Sequence, residues 1–235
     1  MRHVQHTSGI RVGQVVVEFT RKPVSAWAGL AVLVGGLLER IGFRKWVEDS
    51  LPVRETSNNQ CGAYSKILSH MLTAYSGGER FSHMQWWGHG VDVFERAFKV
   101  ERFAKSPSSL TRFWSKFDSQ GKSEAWLSCA REFAVSLLGW SGVVSGNLNM
   151  DSTVLTRYGH QEGARKGYNP KKHGRSSHHP LLAFVDGGFV VNLWNRAGDV
   201  ASGQGCVAFF RADGPGAVKV FPYPTGPLRQ RLLPH

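Results

Sequence analysis

The stretch Asn147-Leu-Asn-Met-Asp151-Ser-Thr-Val154 marks the point at which the sequence changes from helical to strand-like patterning. Apolar and polar residues alternate along it, and a period of two is typical of a strand with one buried face. If Leu148 and Met150 face the core, Asp151 falls on the opposite face, where its carboxylate can hold a hard divalent cation such as Mg²⁺. A single aspartate before Ser-Thr is also typical of an Asx-turn or a helix cap, so the local sequence leaves both interpretations open.

The residues before this stretch predict a helical region, which we assign to 1–140. The clearest helix covers 62–76, where apolar residues recur at helical spacing and Gly77-Gly78 ends the pattern. The β-forming residues of 15–19 predict one strand near the N-terminus. Further helices are expected at about 25–41, 79–87 and 122–138.

The residues after this stretch are patterned as strands. Residues 142–154 have strand character, and two more strands are predicted at 180–185 and 189–194. These two strands are joined at Asp186-Gly187-Gly188, a hairpin turn signal. We therefore expect an α+β fold, in which a helical N-terminal half is followed by a smaller β-rich part at 141–212.

The composition favours a globular chain with an acidic partner. The net charge is +12, the sequence pI is about 10.0, and 41% of the residues are hydrophobic. Nucleic acid is the commonest acidic partner of such a chain, although ribosomal and membrane-surface proteins have a similar charge. Cys61, Cys129 and Cys206 are far apart and form no CxxC pair, which argues against a zinc site or a disulfide framework. Because no apolar run is long enough to span a bilayer, we expect no membrane association and a cytoplasmic location.

A short helix is predicted over 106–117, where Ser106 suits the N-cap and Pro107 suits the first turn. Arg112 and Lys116 lie on its outer faces, and a short basic helix of this kind is similar to the second helix of a helix-turn-helix. An ordinary helix with a solvated basic face fits the same residues. Arg112 and Lys116 are therefore candidate DNA-binding residues, with the solvated face as the alternative.

Residues 157–179, called the basic segment below, contain six basic residues before Ser176 and one acid, Glu162. Such a segment can neutralise several phosphates of a nucleic-acid backbone. His178 and His179 also lie here, but adjacent residues on a strand point to opposite faces, which disfavours joint binding of one metal ion. The candidate DNA-binding residues of the segment are Arg157, Arg165, Lys166, Lys171, Lys172 and Arg175.

A string of motifs extends through the second half: Asp151-Ser-Thr-Val-Leu-Thr-Arg-Tyr-Gly159, Gln161-Glu-Gly163, Gly167-Tyr-Asn-Pro-Lys-Lys172, His178-His-Pro-Leu-Leu-Ala-Phe184 and Asn195-Arg-Ala-Gly198. Upstream, Ser106-Pro-Ser-Ser-Leu-Thr-Arg-Phe113 belongs to the same string. Together these motifs resemble the DDE-type transposases of bacterial insertion sequences, in the group whose first catalytic acid lies in an "LDxDST"-like motif. The resemblance covers roughly residues 15–210.

The resemblance implies a ribonuclease-H-like catalytic domain at 141–212 and a helical front half that binds the ends of the element. Asp151 would be the first of three acids, on the first strand, with 180–185 and 189–194 as the second and third strands. In the family, bound Mg²⁺ or Mn²⁺ activates water to cut a DNA strand, and the freed 3′-hydroxyl attacks target DNA. The expected partners are element ends and target DNA at the bacterial nucleoid, and family members commonly act as dimers on paired ends.

The chain departs from the family near Phe209-Phe210. Arg211-Ala-Asp213-Gly mimics the second-acid motif, but its distance from Arg196 is only 211 − 196 = 15 residues, too short for the expected intervening helix and strand. Asp213 is therefore a less favoured candidate for the second acid, and no motif for the third acid follows. Residues 213–235 carry five prolines and are interpreted as a divergent tail that arose by a frameshift or a deletion.

Two interpretations of function remain open at this stage. The first is a transposase by descent that is truncated and inactive. The second is a DNA-binding remnant that recognises element ends without catalysis. An unrelated basic binding module would require the whole motif string to be accidental.

Overall fold

The chain is α+β, and its contacts divide it into two compact units, Met1–Leu127 (unit 1) and Ser128–His235 (unit 2). Unit 1 is largely helical, and unit 2 contains two small antiparallel sheets of three strands each among its described residues. The computed structural model describes residues 9–12, 15–18, 28–56, 61–88, 91–143, 146–185 and 188–212.

Unit 1 begins with an antiparallel hairpin of two strands, β1 (Gly9–Val12) and β2 (Val15–Glu18), where the sequence predicts one strand. A 3₁₀ helix, Phe81–Gly88, occupies the place of the helix predicted at 79–87. The α-helices that begin in this unit are α1 (Ala28–Arg40), α2 (Phe43–Ser50), α3 (Ala63–Tyr75), α4 (Val91–Ala97), α5 (Pro107–Trp114) and α6 (Gln120–Trp140), of which α6 ends in unit 2.

The core of unit 1 forms around α3, whose apolar residues lie on one face because they recur every three or four positions. Leu68 and Leu72 are fully buried there. Trp87 packs edge-on against Phe94 at 5.1 Å between ring centroids, and its indole Nε1 donates a 2.9 Å hydrogen bond to the Thr73 hydroxyl on α3. The aromatic residues after α3 are therefore part of the packed interior of this unit.

Unit 2 contains a main sheet of the antiparallel strands β3 (Leu148–Ser152), β7 (Leu181–Val185) and β8 (Phe189–Trp194), in the order β3-β7-β8. Its last described element is helix α7 (Cys206–Ala212). The residues between β3 and β7 form a second sheet in the order β4-β6-β5, with β4 at Leu155–Thr156, β5 at Arg165–Lys166 and β6 at Ser176–His178.

One side of the main sheet carries the core of unit 2. Leu181 and Ala183 on β7 pack with Phe209 of α7, and the partly buried Val135 and Leu138 of α6 pack against the same cluster. The ring of Phe209 meets that of Trp194 edge-on at 5.1 Å. The helices α6 and α7 thus cover the side of the sheet that carries Leu181, Ala183 and Val185.

The register of β3 decides which side Asp151 occupies. Met150 pairs with the buried Ala183, whereas Asp151 pairs with Leu182, and directly paired residues share a side of the sheet. Asp151 therefore lies on the side opposite to the core, as predicted. Leu148 and Met150 lie on the core side but are 36% and 42% exposed, because β3 is an edge strand of the described sheet.

The predicted strands at 180–185 and 189–194 and the predicted helix at 62–76 are confirmed to within a residue at each end. The strand predicted over 142–154 is too long, because β3 extends only from Leu148 to Ser152 among the described residues. Parts of several predictions lie outside the described residues, namely the helix start at 25, the turn at Asp186-Gly187, Asp213 and the tail 213–235.

Candidate nucleic-acid interface

Asp151 is exposed near the end of the edge strand β3. Its carboxylate Oδ1 accepts a 2.7 Å hydrogen bond from the backbone N–H of Ser152. This bond reaches only the next residue, whereas an Asx-turn or a helix cap bonds the N–H two or three residues on. The site at Asp151 therefore depends on which side chains lie around it.

His179 holds the residue that follows Asp151. Its Nε2 lies 3.1 Å from the Ser152 hydroxyl, and its Nδ1 lies 2.9 Å from the carbonyl oxygen of Val200. Because a carbonyl only accepts, the proton is on Nδ1, and Nε2 accepts the hydrogen bond from Ser152. The buried imidazole thus joins the end of β3 to the loop before α7.

His178 is the last residue of β6 and bonds to two residues that lie earlier in the basic segment. Its Nδ1 accepts a 2.9 Å hydrogen bond from Arg157 Nε, and its Nε2 donates to the carbonyl oxygen of Glu162 at 2.8 Å. His178 and His179 are both buried and bond to different groups, as opposite faces of a strand require. Both imidazoles therefore hold loops in place through their two ring nitrogens.

Arg196 and Gly198 lock the other side of this arrangement. The Arg196 guanidinium donates to the carbonyl oxygen of His179 at 2.9 Å and to that of Ser202 at 3.2 Å. Gly198 packs directly against the backbone of β5 and β6, where a Cβ would overlap the carbonyl oxygens of Arg165 and Ser177. Glycine is required at position 198 because two backbones approach each other closely there. The Arg196 guanidinium binds backbone carbonyls and so stabilises the fold.

A buried asparagine shapes the loop that carries the two adjacent lysines. Asn169 donates from Nδ2 to the Thr156 hydroxyl at 3.0 Å, and its Oδ1 accepts from the backbone N–H of Lys172 at 3.0 Å. Both bonds are made inside unit 2, so the loop is anchored on β4 while Lys171 and Lys172 remain exposed. The basic side chains therefore project from a fixed backbone, which reduces the entropy lost on binding.

The candidate cations of the basic segment have few acidic partners. Arg165 Nη1 lies 3.3 Å from Asp199 Oδ2 in an exposed ion pair. Arg157 is half-buried and bonds to the neutral His178. Within the described part of the chain, the remaining four cations form no ion pair; these are Lys166, Lys171, Lys172 and Arg175.

A recess of about 370 Å³ opens between the loops of the basic segment. Tyr158 lies at it with its side chain 72% exposed, and the Arg175 guanidinium carbon is 5.8 Å from the centroid of the Tyr158 ring. Its lining includes Arg157, Tyr158, His160, Lys166, His173 and Arg175. The recess brings together three of the six predicted cations.

The two candidates predicted on this helix differ in their surroundings, since α5 ends at Trp114 and Lys116 lies in the turn that follows. Arg112 is exposed near the end of the helix. Lys116 instead donates from Nζ to Glu55 Oε2 at 2.7 Å and to the carbonyl oxygen of Arg54 at 3.2 Å. Glu55 also binds the buried Lys66 at 2.6 Å, so the Lys116 ammonium belongs to a charge cluster inside unit 1.

The electrostatics of this cluster favour an ionised Glu55. Burial raises the pKa of its carboxyl, but hydrogen bonds from Lys116 and Lys66 and their positive charges outweigh burial, so the pKa lies below its ordinary value. The cluster holds the segment that contains Glu55 against α3 and against the end of α5. Arg112 is thus the more available of the two candidates for a phosphate.

The residues around Asp151 do not fit a Mg²⁺ or Mn²⁺ site. Across the described ranges, no group of three His, Cys, Asp or Glu side chains converges to hold a metal ion. One carboxylate binds Mg²⁺ weakly, and two-metal chemistry needs several carboxylates on ions roughly 4 Å apart. Asp213, the other predicted acid, lies outside the described residues, and the two residues before it are helical.

Three features of the site were not predicted from the sequence: the exposed Tyr158 ring, the buried Asn169 and the two bonds made by His179. An aromatic residue inside a polar, glycine-rich segment is a signal that could have singled out Tyr158. The bond of Asn169 to Thr156 and that of His179 to Ser152 have no local signal, because these partners are 13 and 27 residues away.

Comparisons with protein families, with curated proteins and with solved structures gave no match. Among the helices of the described residues, none is long and apolar enough to cross a membrane.

Proposed function

We propose that this chain is a DDE-type transposase chain of an insertion sequence, and that unit 2 holds DNA beside Asp151. The observation that carries the proposal is the bonding of the His178-His179 pair, which joins Ser152 on one side and Arg157 on the other. The Asp151-Ser-Thr run and the His178-His-Pro run are separate motifs in the sequence, and these hydrogen bonds join them.

The order of the strands also supports the proposal. The resemblance requires Asp151 on the first of three strands, followed by strands near 180–185 and 189–194. In the main sheet, β3, β7 and β8 are hydrogen-bonded neighbours in that order. The basic segment lies between the first two of these strands in the sequence, so its cations follow Asp151 directly along the chain.

The electrostatics indicate a polyanionic partner. The chain has a net charge of +12, and four cations of the basic segment lack an acidic partner among the described residues. Phosphates that replace counterions around these side chains would bind with a strong dependence on salt. Element ends and target DNA are the partners expected from the resemblance.

The chain as it stands is expected to bind DNA without cutting it. DDE chemistry needs three acids, and no group of three His, Cys, Asp or Glu side chains that could hold a metal ion forms among the described residues. No catalytic step is therefore assigned to a metal ion here. Asp151 is proposed as the first acid by its position on β3 and by the motif around it.

A protein that recognises element ends without catalysis is the second candidate. It is favoured by the absence of a three-ligand metal group among the described residues and by the exposed Arg112 on α5, in the half of the chain that the resemblance assigns to end binding. Both candidates bind DNA without cleaving it, and they differ in whether the chain has kept specific recognition of element ends.

Binding and cleavage measured on the full chain test both candidates. Fluorescence anisotropy with a labelled duplex at low salt should show binding that weakens when Lys166, Lys171 and Lys172 are replaced together by Gln. A supercoiled plasmid incubated with Mg²⁺ or Mn²⁺ should remain uncut.

Each outcome has a definite meaning. Absence of DNA binding would overturn both candidates. Nicking that is abolished in Asp151→Ala would refute the expectation that the chain is catalytically incomplete and would exclude the second candidate. Binding without nicking supports the proposal as stated.

A further inference from the structure

Two tyrosines of unit 2 are unusually exposed for large rings, Tyr158 at 72% and Tyr168 at 73%. Both lie in the basic segment, where most other side chains are polar. Single exposed aromatic rings are common on protein surfaces, so the feature that distinguishes these two is their position among several cations. Aromatic rings interleaved with cations are typical of surfaces that bind unpaired nucleic acid.

Tyr158 also has a defined position relative to the recess. Its ring lies at the recess of about 370 Å³, with the Arg175 guanidinium over it at 5.8 Å. The backbone N–H of Arg157, the residue before it, donates 2.8 Å to the carbonyl oxygen of Ser176 on β6, which fixes the backbone beside the ring. The guanidinium over one face of the ring places a positive charge beside an aromatic surface that is still largely exposed.

The size of the recess favours a single nucleotide. A volume of about 370 Å³ falls in the range of sites that enclose small molecules. A duplex is a broad rod whose bases are stacked on each other, so their faces are not available to a protein ring. An unpaired nucleotide offers both a free base face and its own phosphates.

We infer that the recess binds one unpaired nucleotide of a DNA strand, with its base stacked at Tyr158 and Arg175 and its phosphates held by Arg157 and Lys166. This inference rests on the proposed function and adds to it the state of the DNA at this point: the strand that unit 2 holds near Asp151 is locally single. Any pathway that opens a DNA end would present such a strand.

The test compares a single strand with a fully paired, blunt-ended duplex of equal phosphate number, each binding to the full chain at low salt. Tyr158→Ala should weaken binding of the single strand about tenfold and leave duplex binding nearly unchanged, since stacking acts only on the unpaired base. Tyr158→Phe keeps the ring and should retain affinity for the single strand. Tyr75→Ala, which removes an equally exposed ring of unit 1, is the matched control and should change neither affinity.

A crosslink keeps the inference testable if the alanine variant is unstable. A single strand that carries 5-iododeoxyuridine should crosslink on irradiation to the peptide that contains Tyr158 of the unmodified chain. Equal affinity of Tyr158→Ala and the unmodified chain for the single strand, or crosslinks only elsewhere, would overturn the inference. If duplex binding still falls when Lys166, Lys171 and Lys172 are replaced, the proposed function survives that result, whereas absence of all DNA binding overturns both.

Discussion

The imidazole Nε2 of His179 lies 3.1 Å from the hydroxyl oxygen of Ser152, a residue 27 positions earlier in the chain. The hydrogen bond joins two motifs that resemble one family, the Asp151-Ser-Thr run and the His178-His-Pro run. It also connects the strand that carries Asp151 with the loop at Val200, because the second ring nitrogen donates to that carbonyl. The position of Asp151 thus depends on a buried histidine that binds no metal in this arrangement.

Replacing His179 by Ala should lower the free energy of unfolding by about 3 kcal/mol, because two buried hydrogen bonds and the ring packing are lost. Urea unfolding followed by fluorescence measures this change. His173→Ala, which removes an exposed imidazole from the same unit, should change stability by less than about 0.5 kcal/mol. Equal effects of the two variants would show that the bond to Ser152 contributes little.

Gly198→Ala should destabilise unit 2 by roughly 3 kcal/mol, since the added methyl group meets the backbone of β5 and β6, which cannot move aside cheaply. The control is Gly203→Ala, where a Cβ meets nothing within 4 Å. The stabilities of the two variants are compared by their midpoints of urea unfolding. A Gly198→Ala protein as stable as the control would contradict the close packing of Gly198 against Ser177.

Glu55→Gln should lower the free energy of unfolding at neutral pH by about 2 kcal/mol, because the buried Lys66 loses a charged hydrogen-bond partner. The pKa of Glu55 is lowered by folding, so its contribution is present above the ordinary value of 4.5 and disappears as the pH falls through the folded-state pKa. Unfolding measured from neutral pH into the acid range should therefore show the wild type and the variant converging below about pH 4.5.

The control for this experiment is Glu48→Gln, which breaks an exposed pair with Arg44 in α2. Its effect should stay below about 1 kcal/mol, because solvent screens such pairs. A difference between wild type and Glu55→Gln that grows on acidification would contradict the assignment of Glu55 as an ionised buried partner of Lys66.

Local periodicity explains which parts of the fold could be predicted. The helix α3 and the strands β7 and β8 follow from the spacing of apolar residues over a few positions, and their observed ends agree closely with the predicted ones. The extent of β3 could not be predicted in this way. Among the described residues, strand structure in this region begins only at Leu148, because pairing with β7 and not local preference sets where β3 starts.

The sequence predicted which charged residues the candidate site contains, but it did not predict the hydrogen bonds and ion pairs that they form. The exposed cations of the basic segment follow from their charge alone. Lys116 pairs with Glu55, which is 61 residues away, and Arg196 binds backbone carbonyls. Both interactions depend on contacts between parts of the chain that are distant in sequence. A basic residue on a predicted helix face therefore remains ambiguous until its partners are known.

DNA binding should depend on salt through the lysines of the basic segment. Each of Lys171→Gln and Lys172→Gln is expected to reduce the slope of log affinity against log salt by about 1, since each removes one phosphate contact. Anisotropy titrations over a series of salt concentrations measure the slope. Lys45→Gln, which removes a lysine paired with Asp49 in α2, should leave it unchanged; slopes that fall equally in all three variants would indicate only a general effect of net charge.

The most direct test of the central claim, that unit 2 holds DNA beside Asp151, is localised cleavage by a tethered iron chelate. Cys61, Cys129 and Cys206 are replaced by Ser, Asp151 is replaced by Cys, and the chelate is attached there. Val207→Cys provides the control, since Val207 is exposed on α7, whose Phe209 packs on the opposite side of the main sheet. We expect hydroxyl radicals from position 151 to cut bound DNA at a few adjacent nucleotides and those from position 207 not to do so; unimpaired binding with no localised cuts from position 151 would contradict the claim.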